Sequence, residues 1–181
     1  ASNIIENIKV VRHDVPEGFV GACNAGAAAA QGEFILFLNN DIEVIGRWLD
    51  ELHAPFVMFD GVGLTGAKLV YPDGRLQEAG GIVWKNGRRW NYGRNANPAE
   101  PAYSYTRQAD YLSGAALMIP RKIWSDVGGF SREFAPAYYE DTDLCFKVRD
   151  AGYKTVLAAK SVIVHYEGVS NGTNTSGSGL K

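Results

Sequence analysis

An α/β fold with a largely parallel sheet is what this sequence predicts. Three observations carry the prediction. Residues 33–38 (EFILFL) form a nearly unbroken apolar run, the pattern of a strand buried on both faces. Short β-rich runs alternate with segments of helical spacing along the chain. The glycines, 21 of 181 residues, fall mostly between those segments and punctuate them.

Taken in order, residues 8–11 (IKVV) read as a strand. Pro16, Glu17 and Gly18 make a turn, and the alanine-rich 19–31 a helix stopped by Gly32. The apolar strand 33–38 ends abruptly in Asn39-Asn40-Asp41. Ile45, Trp48, Leu49, Leu52 and Phe56 keep helical spacing, with Pro55 an end or a kink. Residues 62–71 are a strand, and Pro72-Asp73-Gly74 a tight turn. Residues 84–105 mix Trp, Tyr, Asn, Arg, Gly and Pro with little periodicity and read as a long loop. A strand at 115–119 and a short helix at 121–127, closed by Gly128-Gly129, follow. The last helix opens at Tyr138-Tyr139-Glu140-Asp141, puts Leu144, Cys145, Val148 and Ala151 on one face, and is capped by Gly152. Two short strands, 155–157 and 162–164, complete the pattern, and His165 ends the second. Residues 1–170 are expected to form one domain and 171–181 (NGTNTSGSGLK) a flexible tail.

Composition excludes several classes. Eighteen basic and 20 acidic residues leave a net charge of −2, which gives no reason to expect a nucleic acid partner. At 46% hydrophobic and 21% charged, the chain is globular. No run approaches the roughly 18 apolar residues of a transmembrane segment, and the start lacks the pattern of a signal peptide. Cys23 and Cys145 lie far apart within apolar patterns, as reduced core residues of a cytosolic protein do. His13 and His53 read as surface residues.

Three groups are able to do chemistry. Ligands of open α/β sheets bind beyond the carboxyl ends of strands, where Asn39, Asn40 and Asp41 stand. A carboxylate with neighbouring amide oxygens suits Mg²⁺ or Mn²⁺, while the same residues also suit a plain turn. Glu140, Asp141 and Asp143 crowd a helix start, where the dipole favours negative charge and Asp141 fits an N-cap. The aromatics before them (Phe134, Tyr138, Tyr139) favour instead a carboxylate in an apolar cleft acting as a general base. His165 is either a hydrogen-bonded strand end or a metal ligand. Gly18, Gly21 and Gly26 flank a helix start without matching a Walker or dinucleotide fingerprint.

The segments GFVGACNAGAAAAQGEFILFLNNDIEV, GAKLVYPDGRLQEAGG, DYLSGAALMIPR, GGFSREFAPAYYEDTDLCFKVRDAGY and VIVHYEG, in that order, resemble a bacterial family 2 glycosyltransferase of the GT-A fold. The resemblance implies that Asn39-Asn40-Asp41 is the DxD-type motif, with Asp41 on the Mn²⁺ or Mg²⁺ that bridges a donor diphosphate. It implies Asp141 as catalytic base with Glu140 supporting it. Asp110, Ser113, Gly114 and Ala115 would floor the sugar pocket and His165 would be a further metal ligand; the aromatic stretch with Trp84, Trp90 and Tyr92 is either a stacking surface for a sugar ring or a plain surface excursion. The implied reaction is inverting, metal-dependent transfer from a nucleotide-diphosphate sugar to a saccharide or lipid-linked acceptor, in surface polysaccharide synthesis. The cytoplasm, or the inner face of the membrane, is the implied location. Family members carry a strand-helix-strand for the nucleotide base before the region matching Asn3, and this sequence starts about at their third strand. The resulting expectations are a truncated sheet, self-association through the face so exposed, and, as the alternative function, a fragment without donor binding that is inactive or an interaction module. A nucleotidyltransferase is a weaker reading, disfavoured by the Glu140-Asp141 motif.

Overall fold

The computed structural model describes residues 8–166. Helix α1 (Gly18–Ala29) leads into strand β1 (Phe34–Leu38), followed by β2 (Ile42–Val44), helix α2 (Trp48–Met58) and the long strand β3 (Val62–Val70). Strands β4 (Leu76–Glu78), β5 (Gly81–Val83), β6 (Arg89–Asn91) and β7 (Arg107–Gln108) are short. Strand β8 (Ala116–Pro120), helix α3 (Arg121–Asp126), helix α4 (Glu140–Asp150) and strand β9 (Lys154–His165) complete the order.

Among the described residues the main sheet runs β1-β8-β3-β9-β2, with β4 beside β3 and β7 beside β9. The α/β prediction holds, but the expectation of a largely parallel sheet is corrected. Only β3 and β9 pair in parallel, and the other pairings are antiparallel. The reason is β8. It enters from the long middle segment without a helical crossover, so it runs opposite to both β1 and β3 and separates them. β1, β3 and β9 nonetheless point the same way, and their carboxyl ends share one edge.

Both faces of the sheet are covered. Ile35, Phe37, Leu117, Ile119 and Leu157 pack with Val20 of α1, Trp124 of α3 and Leu144 and Val148 of α4. On the other face Ala116, Met118, Ala67, Leu69 and Ile163 pack with Leu52 of α2, and Phe34 and Leu36 join them. The EFILFL run thus serves two cores at once, as its continuous apolar pattern predicts. Phe37, Trp124 and Phe130 meet with ring centroids 4.8–5.2 Å apart and anchor α3 to β1. Asn24 of α1 clasps the backbone of Phe130 from both sides (2.9 and 3.1 Å).

Four local expectations change. Residues 8–11 form no strand and are exposed. The stretch 84–105 is not a featureless loop. It holds β6 of the β5–β6 hairpin and a 3₁₀ turn, Pro101–Tyr103. Lys68 of β3 secures that turn by donating to the carbonyls of Pro98 (3.0 Å) and Tyr103 (3.3 Å), and its burial lowers the ammonium pKa. The two final strands are one. The register against β3 jumps from Ala67–Ala158 to Lys68–Val162, so a bulge at residues 159–161 interrupts the pattern without ending the strand. His53 is half-buried, edge-on to the Phe34 ring at 5.0 Å, rather than on the surface. The expected tail, 171–181, lies outside the described residues.

Candidate functional site: two acidic corners on one sheet edge

The first corner forms where β1, β2 and β9 converge. Ile42 pairs with His165 across β2 and β9, and Tyr166 N donates to Asp41 O (2.9 Å). That register sets His165 Nε2 3.4 Å from Asp41 Oδ1. Gln77 of β4, 2% exposed, accepts from His165 Nδ1 through Oε1 (3.1 Å). A carbonyl oxygen only accepts, so Nδ1 carries the proton. In the neutral ring Nε2 then presents a lone pair toward Asp41. Asp41 Oδ1 is buried and accepts no hydrogen bond among the described residues. Two acceptors facing one another without a shared proton fit a bound cation, and a carbonyl behind the imidazole is the usual support of a metal-binding histidine. Asp41 and His165 are thus suited to hold Mn²⁺ or Mg²⁺. Among the described residues no third His, Cys, Asp or Glu joins them, so further ligands would come from substrate oxygens or water.

The second corner is the N-terminal turn of α4. Glu140 and Asp141 are 6% and 8% exposed. The N-cap position is Tyr139, not Asp141, and its backbone is left-handed (φ 69°), as is that of Tyr138 (φ 82°). Bulky residues rarely adopt that conformation, so the tertiary packing must hold it. Asp141 Oδ2 accepts from Gly114 N (3.2 Å). Its Oδ1 accepts from Thr142 N (2.7 Å), Thr142 Oγ1 (3.2 Å) and Arg89 Nη1 (3.3 Å). Glu140 differs. Its Oε2 is buried without a hydrogen bond, and burial, with the charge of Asp141 beside it, pushes its carboxyl up to about 7. Asp143 takes the structural role in this turn, accepting from Ser131 Oγ (2.6 Å) and pairing with Lys147 (3.0 Å).

A hydrogen-bonded floor joins the corners. Asn39 N donates to Ala115 O (3.0 Å), and Ala115 N to Ser113 Oγ (3.3 Å). Ser113 N donates to Glu78 Oε1 (3.1 Å), next in sequence to Gln77. Gly114, between them, reaches Asp141. A Cβ at Gly114 would sit 3.2 Å from the Phe19 ring, tight enough to force that ring to give. Asn39, Ser113, Gly114 and Ala115 therefore lie together, and Asn40 beside them is exposed.

Asp110 and Trp84 stand apart. Asp110 accepts from Val83 N (3.0 Å) and faces Arg149 of α4 (3.4 Å), so it secures the β5–β6 hairpin. Trp84 starts the hairpin turn and is 54% exposed. Trp90 pairs with Ile82, offset by one from the Arg89 pair, and so lies on the hairpin face opposite Asp141. Of the glycines around α1, Gly18 serves close packing, while Gly26 faces open space. A Cβ at Gly18 (φ 67°) would collide with Pro136. Sequence reasoning missed Gln77, Glu78 and Arg89. Gln77 and Glu78 carried a usable signal, two polar residues inside the otherwise apolar LQEAGG run, where polar groups are buried only with partners. Arg89 carried none, since Arg88-Arg89 looks like any solvated turn.

Comparison with known proteins bears on this geometry. The model of Glycosyl transferase family 2 matches residues 1–108. An uncharacterized protein of Sinorhizobium fredii, y4gI, is 36% identical over 171 residues, 91% of this chain and 19% of its own length. The O-antigen biosynthesis protein RfbC of Myxococcus xanthus is 31% identical over 163 residues, 87% of this chain and 13% of its own length. The chain thus spans less than a fifth of either relative. A crystal structure of GalNAc-T7 with UDP, GalNAc and Mn²⁺ superposes with a TM-score of 0.67 at 18% identity, over 86% of this chain and 32% of that one. The mannosyltransferase PcManGT of Pyrobaculum calidifontis, in complex with GDP-Man and Mn²⁺, does so with a TM-score of 0.55 at 16% identity, over 87% and 39%. At such identities the likeness is one of fold. No helix among the described residues is long and apolar enough to cross a membrane. The segment that ends β1 in Asn39-Asn40-Asp41 falls within the matched residues, and the sheet around it is that of the GT-A transferases: the chain belongs to glycosyl transferase family 2.

Proposed function

We propose that this chain carries the metal-side and acceptor-side groups of an inverting, metal-dependent glycosyltransferase. It moves a sugar from a nucleotide-diphosphate sugar to a hydroxyl of a saccharide or lipid-linked acceptor, in the synthesis of surface polysaccharide. The observation that carries this reading is the pairing of Asp41 Oδ1 with His165 Nε2, two facing acceptors on the sheet edge whose floor leads to Asp141. The O-antigen role of the Myxococcus relative supports the pathway class. The nucleotides and Mn²⁺ in the similar folds support the donor class.

Asp41 and His165 would hold the divalent cation, whose charge, when bound, offsets that growing on the departing diphosphate. Asp141 receives the proton of the acceptor hydroxyl. The freed oxygen bonds to the anomeric carbon from the face opposite the diphosphate, the carbon–diphosphate bond breaks, and configuration inverts. Gly114 N and the Thr142 donors hold the Asp141 carboxylate in one orientation throughout. Self-association over the outer strand β1, whose Leu38 is exposed, belongs to the same reading, with light scattering as its measure.

The test is calorimetry of the chain with UDP-, GDP- and dTDP-sugars in the presence of Mn²⁺. Binding of one donor class is expected, and Asp41→Ala should abolish it. No heat with any donor would overturn the proposal in favour of a glycosyltransferase-like fragment that does not bind donors.

A further inference from the structure

Arg89 reaches Asp141 from 52 residues earlier in the chain, on the β5–β6 hairpin. Its guanidinium lies over the Tyr139 ring (4.3 Å) and farther from that of Tyr111 (5.8 Å). The hairpin is tied to α4 at two places. Arg89 meets Asp141 at the first turn (3.3 Å), and Asp110, which binds Val83 N, meets Arg149 near the last (3.4 Å). Val83 and Arg89 are themselves paired across β5 and β6, so the second tie fixes the height at which the guanidinium stands. The left-handed backbone of Tyr139 belongs to the same arrangement, since that residue bears both the ring under Arg89 and the start of α4.

Glu140 and Asp141 are adjacent and buried, and two such carboxyls resist ionising together. The two carboxyls are held differently. Asp141 receives two backbone N–H groups, one hydroxyl and Arg89, while the Glu140 carboxyl receives the backbone N–H groups of Tyr138 and Glu140 and leaves Oε2 without a hydrogen bond. The other titratable groups beside the pair stay neutral. Burial pushes the Cys23 thiol of α1 up to about 12, and raises Cys145 of α4 and Tyr111 from the segment before β8. Among the described residues Arg89 is the cation in contact with Asp141, and its charge also lowers the Glu140 pKa. Half-buried on an aromatic ring, it is screened far less than an exposed arginine.

We propose that Arg89 is a positioning residue for the transfer reaction: paired with Asp141 and seated on Tyr139, it holds the Asp141 carboxylate in place and supplies the positive charge that favours ionisation of the carboxyl pair. This deepens the reading of Asp141 as base and rests on it. It also assigns the hairpin a role, because displacing the hairpin withdraws the Arg89 charge from the site.

The primary experiment needs no substrate. The Glu140 carboxyl is followed by ¹³C NMR across pH in the full chain, with Glu140→Gln identifying the resonance. In Arg89→Gln its midpoint should rise by about one pH unit, the low end for losing an opposite charge at this range. Arg89→Lys should recover most of that rise, and Tyr139→Leu should produce a smaller one. An unmoved midpoint in Arg89→Gln, with a native-like amide spectrum, overturns the proposal. Should Arg89→Gln not fold, Tyr139→Leu decides it by the same criterion. The second readout is Mn²⁺-dependent turnover of whichever nucleotide sugar binds the wild-type chain. The acid limb of kcat should move to higher pH in Arg89→Gln with the donor KM unchanged, whereas a pH-independent loss of kcat marks a merely structural role and overturns the proposal. Failure of the wild-type chain to turn over any donor would count against the proposed function, and the NMR titration would still decide the role of Arg89.

Discussion

The two acidic corners of the sheet edge are built on opposite principles. At Asp41 the buried carboxylate oxygen makes no hydrogen bond among the described residues and faces His165 Nε2 at 3.4 Å. At Asp141 the carboxylate is surrounded by donors on both oxygens. A buried acceptor without a hydrogen bond is costly, so the two corners differ in how much of that cost the chain itself offsets. The second is complete in itself and holds one charge in one place. The first corner is therefore short of donors, and the second is well supplied with them. Both use residues distant in sequence, but the first is assembled by strand register and the second by a helix N-terminus together with a hairpin.

Three substitutions break or sharpen this contrast, in falling order of effect. Asp141→Asn keeps the shape and removes the base. Turnover of the bound nucleotide sugar should drop by about 10²- to 10⁴-fold, with donor affinity by calorimetry unchanged. Loss of donor binding in this variant would mean that the corners are not separate in function.

The next effect is on stability. The Glu140 value in the folded chain lies above its ordinary 4.5, at about 7, so folding tolerates the neutral acid and resists the carboxylate. Its contribution is full below about pH 4.5 and is lost as pH rises through about 7, with a ceiling of about 3 kcal/mol. Urea unfolding at pH 5 and pH 8 should show this loss in the wild type. Glu140→Gln should flatten it, and an unchanged slope would show that Glu140 is ionised in the folded state.

Gln77→Leu should produce the smallest change of the three. It removes the carbonyl behind His165 while leaving Asp41 and His165 in place, and Mn²⁺ affinity should fall about 10- to 100-fold by calorimetry. Asp141→Asn, titrated the same way, should not alter Mn²⁺ affinity. A Gln77→Leu chain that binds Mn²⁺ as well as the wild type would show that the imidazole needs no such support.

Local pattern alone placed the main elements. The apolar 33–38 run, the helical spacing around Leu52 and Leu144, and the turn at Pro72-Asp73-Gly74 all stand where expected, because burial period and turn chemistry are properties of neighbours in sequence. The rule that ligand groups gather beyond strand carboxyl ends singled out Asp41 without knowledge of how the strands pair, and the family resemblance drew attention to His165; the structure sets the two 3.4 Å apart. The bulge in β9 escaped because Ala158, Ala159 and Lys160 are weak strand formers held there by β3. Strand direction escaped as well, since the antiparallel insertion of β8 depends on the path of the segment before it.

By itself, then, the sequence determined an α/β chain with two acidic groups at the right ends of the right elements. Only the tertiary structure decided what surrounds those groups. Gln77, Arg89 and the Gly114 N–H come from a short strand, a hairpin and a loop whose positions depend on contacts 27 to 88 residues apart. Protonation and metal affinity respond to distances of a few ångströms, and no local pattern in a chain encodes distances between segments that far apart.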